Sequence, residues 1–175
     1  MPLYFAYGSN MDRAAMAVRC PASTALGPAR LARHRLIVTT DGYASVVRDP
    51  RRTVWGLLWD IVLADMPALD RYEDVAGGLY VKVSQPVIAK AGVRRALIYV
   101  ARNRGLGQPR PGYVEGVVTA ARDAGLPDDY LREIAALAPQ TGARHGASPA
   151  RLPVRPLWSS PLAKNSAPRS RGEKE

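Results

Sequence analysis

The chain has little of the equipment used for metal, thiol or redox chemistry. Among its 175 residues there is one cysteine, Cys20, and there are two histidines, His34 and His145. A single cysteine excludes an intrachain disulfide and fits a reducing, cytoplasmic setting. One cysteine and two well-separated histidines give no metal-ligand spacing. There is no Cys–His or Ser–His pattern for nucleophilic catalysis, and Cys20 reads as a small buried thiol. No apolar run approaches the length that crosses a bilayer, and the N-terminus lacks the basic and apolar regions of a secretory signal. No internal repeat is visible.

What the chain has in excess is positive charge, formally +10. Half of it sits in residues 144–175, where seven basic side chains meet two acidic ones. That stretch is rich in Pro, Ser and Arg and reads as a partly disordered tail over 141–175, following one domain over 1–140. A specific nucleic-acid surface would need a basic stripe on a folded element with aromatics interleaved, and neither is present. Non-specific polyanion binding through the tail at low salt is the residual expectation.

The 47% hydrophobic content predicts a globular core. Turn signals divide 1–140 into many short strands and few helices. Strands are expected over 3–7, 25–31, 34–40, 43–47, 53–59, 79–88 and 94–101. Turns are expected at Asp41-Gly42 and at Asp49-Pro50-Arg51-Arg52. Helices are expected near 12–19, at 64–73 with Pro67 in the first turn, and in two final segments separated by Gly125-Leu126-Pro127. Such a plan argues for an α+β fold, a closed or nearly closed sheet with helices outside.

The sharpest local signal is Leu3-Tyr4-Phe5-Ala6-Tyr7-Gly8-Ser9-Asn10-Met11, an apolar strand running straight into a Gly-Ser-Asn turn. Such a turn can aim successive backbone N–H groups at one point, a receptor for a carboxylate or an oxyanion. Acids and bases are few. In Leu69-Asp70-Arg71-Tyr72-Glu73-Asp74-Val75, Asp70 and Asp74 read as a solvated acidic edge beside Arg71. Glu73 differs, because a helix ends there and Gly77-Gly78 follows, allowing a sharp turn or close approach to a ligand. It is the candidate general base. Trp55 and Trp59 share one strand face and read as packing residues.

Taken together, these segments resemble the gamma-glutamylcyclotransferases. Tyr7-Gly8-Ser9-Asn10-Met11 looks like the family's signature loop. Gly42-Tyr43-Ala44-Ser45-Val46, Val54-Trp55-Gly56-Leu57-Leu58-Trp59, Leu69-Asp70-Arg71-Tyr72-Glu73 and Gly78-Leu79-Tyr80-Val81 follow in register. Pro111-Gly112-Tyr113 and its helix complete the likeness over about residues 3–138. The resemblance implies a small mixed β-barrel flanked by helices, a reaction without cofactor, and a catalytic glutamate at Glu73. It also implies that the loop of Tyr7, Gly8, Ser9, Asn10 and Met11 cradles the gamma-glutamyl group, with Tyr80 and Tyr113 lining the pocket. Family members commonly carry Gly directly after the glutamate. Here Asp74 stands there, and it would either raise the pKa of Glu73 or stiffen the turn.

The implied substrate is a small gamma-glutamyl amine, amino acid or peptide, handled by a monomer or homodimer without metal, membrane or specific nucleic acid. Its α-amine attacks its own γ-carbonyl, closing 5-oxoproline and expelling an amine. The alternative from the same residues is a module that binds a gamma-glutamyl or carboxylate ligand without turnover.

Overall fold

The computed structural model describes residues 2–139. The expected tail over 141–175, and His145 within it, lie outside the described residues.

Five strands close into a barrel. They are β1 (Leu3–Ala6), β2 (Thr24–Val38), β3 (Ala44–Asp60), β4 (Tyr80–Ala89) and β5 (Gly92–Ala101). Their order round the barrel is β1-β3-β2-β4-β5. β1 pairs antiparallel with β3, Phe5 opposite Leu58, and parallel with β5 at Tyr4 and Leu97. Because β1 has partners on both sides, its residues Phe5 and Ala6 are fully buried. The seam between β2 and β4 is also thin, with Ala29 opposite Ala89 and Arg30 opposite Ile88.

Two expectations change here. The segments 25–31 and 34–40 are one strand, and so are 43–47 and 53–59. The predicted turn at 49–52 is a bulge inside β3. Thr53 pairs with Ala32 and Arg48 with His34, so the whole of 49–52 stands opposite Arg33 alone. The turn chemistry was real: Asp49 Oδ1 accepts the Arg51 N–H at 3.1 Å. A long two-stranded ladder absorbs such local signals as bulges, and Arg33 adopts a φ of 59° to match.

Four helices pack outside: α1 (Arg13–Arg19), α2 (Met66–Tyr72), α3 (Tyr113–Asp123) and α4 (Asp128–Ala135). Asp12 caps α1, its side chain accepting the Ala15 N–H at 2.9 Å. Pro67 occupies the first turn of α2, where its missing N–H costs nothing. Val114, Val117 and Ala121 of α3 and Leu131 and Ile134 of α4 face the core, the spacing that the sequence predicts. Among the described residues no helix is long and apolar enough to cross a membrane. Cys20 is buried, its Sγ 3.9 Å from the Asp65 carbonyl, and burial pushes its thiol up to about 11.

Candidate active site

At one end of the barrel the chain leaves β1 through Tyr7 and Gly8 into a 3-10 turn, Ser9–Met11. The end of α2 and the starts of β3, β4 and α3 converge on the same place. Between them lies a cavity of about 50 Å³, room for a few waters. Of the eight tyrosines in the chain, all but Tyr130 line it. Gly8, Ser9, Asn10, Ala44 and Glu73 complete the wall.

Glu73 is the residue after the last turn of α2, where its N–H still bonds back to Leu69. As a whole residue it is half-buried. Its Oε1 accepts from Asn10 Nδ2 at 2.7 Å, and the same amide donates to the Tyr4 hydroxyl at 3.0 Å. Burial raises the Glu73 carboxyl to about 8, opposed by Arg19 and by the Asn10 hydrogen bond and reinforced by Asp70. It can therefore both take and give a proton near neutral pH.

The phenols are a different class of group. Burial holds Tyr4, Tyr7, Tyr72, Tyr80, Tyr99 and Tyr113 above their ordinary range, so they stay protonated. Several are tied to the frame. The Tyr7 hydroxyl donates to the Tyr99 carbonyl, and that of Tyr80 to the Ala44 carbonyl at 2.7 Å. The Tyr113 hydroxyl accepts the Ala44 N–H at 3.1 Å, and the Tyr72 hydroxyl shares a 3.0 Å bond with Ser9 Oγ. This leaves a rigid, neutral wall of hydroxyls around one titratable carboxyl.

Gly8 shows why a glycine stands in the loop. A Cβ there would lie 3.1 Å from the Tyr113 hydroxyl and 3.6 Å from the Ala44 Cβ, inside the cavity. The first N–H groups of the following 3-10 turn have no acceptor within the turn, which leaves them available as donors.

Most of the residues expected in the site meet here: Glu73, Tyr7, Gly8, Ser9, Asn10, Tyr80 and Tyr113 all line the cavity. Met11 does not. The 3-10 turn carries it inward, where it is 1% exposed among core side chains. The acidic edge also needs correcting. Asp70 accepts from the Tyr99 hydroxyl at 2.7 Å and pairs with Lys82 at 2.8 Å, so it buttresses the wall while staying partly exposed. Asp74 is not among the groups that move the Glu73 carboxyl. It stiffens the turn: it sits at φ 48°, and its Oδ1 accepts the Gly77 N–H at 3.1 Å. Position 74 thus takes a conformation natural to glycine and tolerated by aspartate. Gly77 is small because the Asp74 carboxylate occupies the space a side chain would need, and neither Gly77 nor Gly78 lines the cavity.

Known proteins resemble this chain in sequence and in fold. The model of the AIG2-like family matches residues 53–134. Human gamma-glutamylcyclotransferase is 28% identical over 148 residues, spanning 78% of this chain and 79% of that protein, and the Bos taurus protein matches to the same extent. A solved structure of a gamma-glutamyl cyclotransferase superposes with a TM-score of 0.74 at 26% identity, covering 83% of this chain and 93% of the other. The chain resembles the gamma-glutamylcyclotransferases in both sequence and fold. Its five-stranded mixed barrel with four helices matches the fold of that solved structure.

Around this cavity, sequence reasoning missed Tyr4, Tyr72, Tyr99 and Arg19. Tyr4 looks like one more strand residue, and only the barrel's closure brings it beside Glu73. Arg19 lies in the last turn of α1, where a basic residue is unremarkable. Its guanidinium donates to Asn10 Oδ1 and stacks on Tyr72, 3.4 Å from the ring centroid. No local pattern announces a contact between these segments.

Proposed function

We propose that the protein is a gamma-glutamyl cyclotransferase, converting a small gamma-glutamyl amine, amino acid or peptide to 5-oxoproline and a free amine. The observation that carries this reading is Glu73. A single carboxyl titrating near pH 8 stands against the Gly8–Asn10 loop in an otherwise neutral cavity. A free α-amine ordinarily titrates at about pH 8 as well, so acid and base are matched for proton exchange.

In this mechanism the gamma-glutamyl unit lies folded in the cavity with its α-amine against its own γ-carbonyl carbon. Glu73, as carboxylate, takes a proton from the neutral form of the amine, so that the ring nitrogen keeps one hydrogen. The nitrogen bonds to the γ-carbon, and the carbonyl oxygen becomes an oxyanion. As the tetrahedral centre collapses, the bond to the leaving nitrogen breaks and Glu73 returns the proton to it. Atoms and charge balance without water or any external nucleophile. The N–H groups of Gly8, Ser9 and Asn10 and the hydroxyls of Tyr4 and Tyr113, which accept rather than donate in the frame, are the donors for the substrate carboxylate and the oxyanion. A narrow wall of tethered tyrosines favours the folded conformer, and an intramolecular closure of this kind can gain up to roughly 7–11 kcal/mol from such positioning.

Incubation with a panel of gamma-glutamyl amines, amino acids and short peptides, read out as 5-oxoproline, tests the proposal. Saturable binding without product would favour the non-catalytic binding module.

A further inference from the structure

Arg19 does not line the cavity, yet it contacts two residues that do. Its guanidinium donates to Asn10 Oδ1 and lies over the Tyr72 ring. The Tyr72 hydroxyl is bonded in turn to Ser9 Oγ. The far end of the Asn10 amide, Nδ2, donates to both Glu73 and Tyr4.

The amide makes this arrangement directional. A carboxamide has an acceptor at one end and two donors at the other. Turned over, Asn10 would present its oxygen to Glu73 and withdraw the hydrogen bond that favours the carboxylate. Tyr4 does not oppose that turn, because a hydroxyl both donates and accepts. Arg19 does oppose it, because a guanidinium donates only, so the amide oxygen must face it. Stacking on Tyr72 holds the guanidinium plane in place.

We propose that Arg19 is a positioning residue for the reaction: by holding Asn10 Oδ1, it keeps Nδ2 on Glu73 and so sets the proton balance of the Glu73 carboxyl. The inference rests on the reading of Glu73 as the proton shuttle. It is consistent with the direction of every influence on that group. Arg19 and Asn10 favour the carboxylate, while burial and Asp70 favour the acid. The other titratable groups facing Glu73 are phenols: Tyr4 and Tyr7 on β1, Tyr72 on α2, Tyr80 on β4, Tyr99 on β5 and Tyr113 on α3, with Tyr43 before β3. None of the lining residues carries a second cation that would replace Arg19.

The test is a carboxyl titration of the full chain labelled with 13C at the glutamate Cδ. The Glu73 signal is assigned by its loss in Glu73→Gln. Arg19→Met keeps an apolar stem but removes donor and charge. Its Glu73 midpoint should rise by about one pH unit. Turnover at pH 7 should then fall about tenfold, with KM changed less than twofold, because the shift subtracts from the ionised fraction. Arg19→Lys, which keeps a cation and its donors, should fall between the two. In an Asn10→Ala background, Arg19→Met should move the midpoint less than it does in the otherwise unaltered chain. If Arg19→Met does not fold, Arg19→Gln carries the same expectation. An unmoved midpoint in a folded Arg19→Met or Arg19→Gln protein overturns the proposal. Failure of the underlying reading looks different: Glu73→Gln would then turn over normally, whatever happens at Arg19.

Discussion

Asn10 Nδ2 and Glu73 Oε1 stand 2.7 Å apart although 63 residues separate them in the chain. This contact joins the loop after β1 to the end of α2, and it places a hydrogen-bond donor on the one cavity carboxyl that burial pushes into the neutral range. Its consequences can be measured.

The pH dependence of turnover follows from the sign of that shift. Glu73 begins the reaction as a base and the attacking amine must be neutral, so log kcat/KM should climb with a slope approaching two below about pH 8 and level off above it. An ordinary carboxylate would leave only the amine's limb, with a slope of about one between roughly pH 4 and pH 8. Initial rates of 5-oxoproline release between pH 5 and pH 10 distinguish the two.

Stability should show the same group with the opposite sense. Between the ordinary carboxylate range and about pH 8 the folded chain keeps a proton on Glu73 that the unfolded chain has lost. Folding stability therefore falls as pH rises through that window, by about 1.4 kcal/mol per pH unit at most, and is flat above it. Glu73→Gln has no such proton to lose. Denaturant midpoints of the two proteins at pH 5 and pH 9 should diverge, with the variant gaining at pH 9.

Asp74 makes a contrasting case. Because it holds a turn and does not act on the Glu73 carboxyl, Asp74→Gly should leave the pH profile unmoved. The φ of 48° suits glycine better, and the lost Gly77 contact offsets part of that gain, so unfolding free energy should change by less than about 1 kcal/mol. A pH profile and a urea titration of the variant check both halves.

At Gly8 the expected effect is steric. A valine there would drive its branches into the Tyr113 hydroxyl and the Ala44 side chain and fill part of the cavity. Gly8→Val should raise KM by tenfold or more, about 1.4 kcal/mol of lost binding, while thermal unfolding changes little. Steady-state kinetics and a melting curve separate these readouts.

Much of the site was legible in the sequence wherever chemistry is local. The Gly8-Ser9-Asn10 turn, the helix end at Glu73 and the strand start at Tyr80 each carry their own signals, and they converge on one cavity. Two kinds of feature were hidden. The two long strands of the barrel read as four short ones, and in β3 the cause is Asp49-Pro50, which is turn chemistry whether the chain reverses or only bulges. Partners such as Tyr4, Tyr99 and Arg19 owe their place to barrel closure and helix docking, which no spacing within a single segment encodes. Met11 was misplaced for a related reason: neighbours in a 3-10 turn point in different directions, so membership of a loop does not give membership of its pocket.

The most direct test is to give equal amounts of the unaltered protein and Glu73→Gln the same panel of gamma-glutamyl compounds and quantify 5-oxoproline. The account predicts product from the unaltered chain on at least one compound and a loss of about 10²–10⁴-fold in the variant, which remains folded. Equal product from both would contradict it.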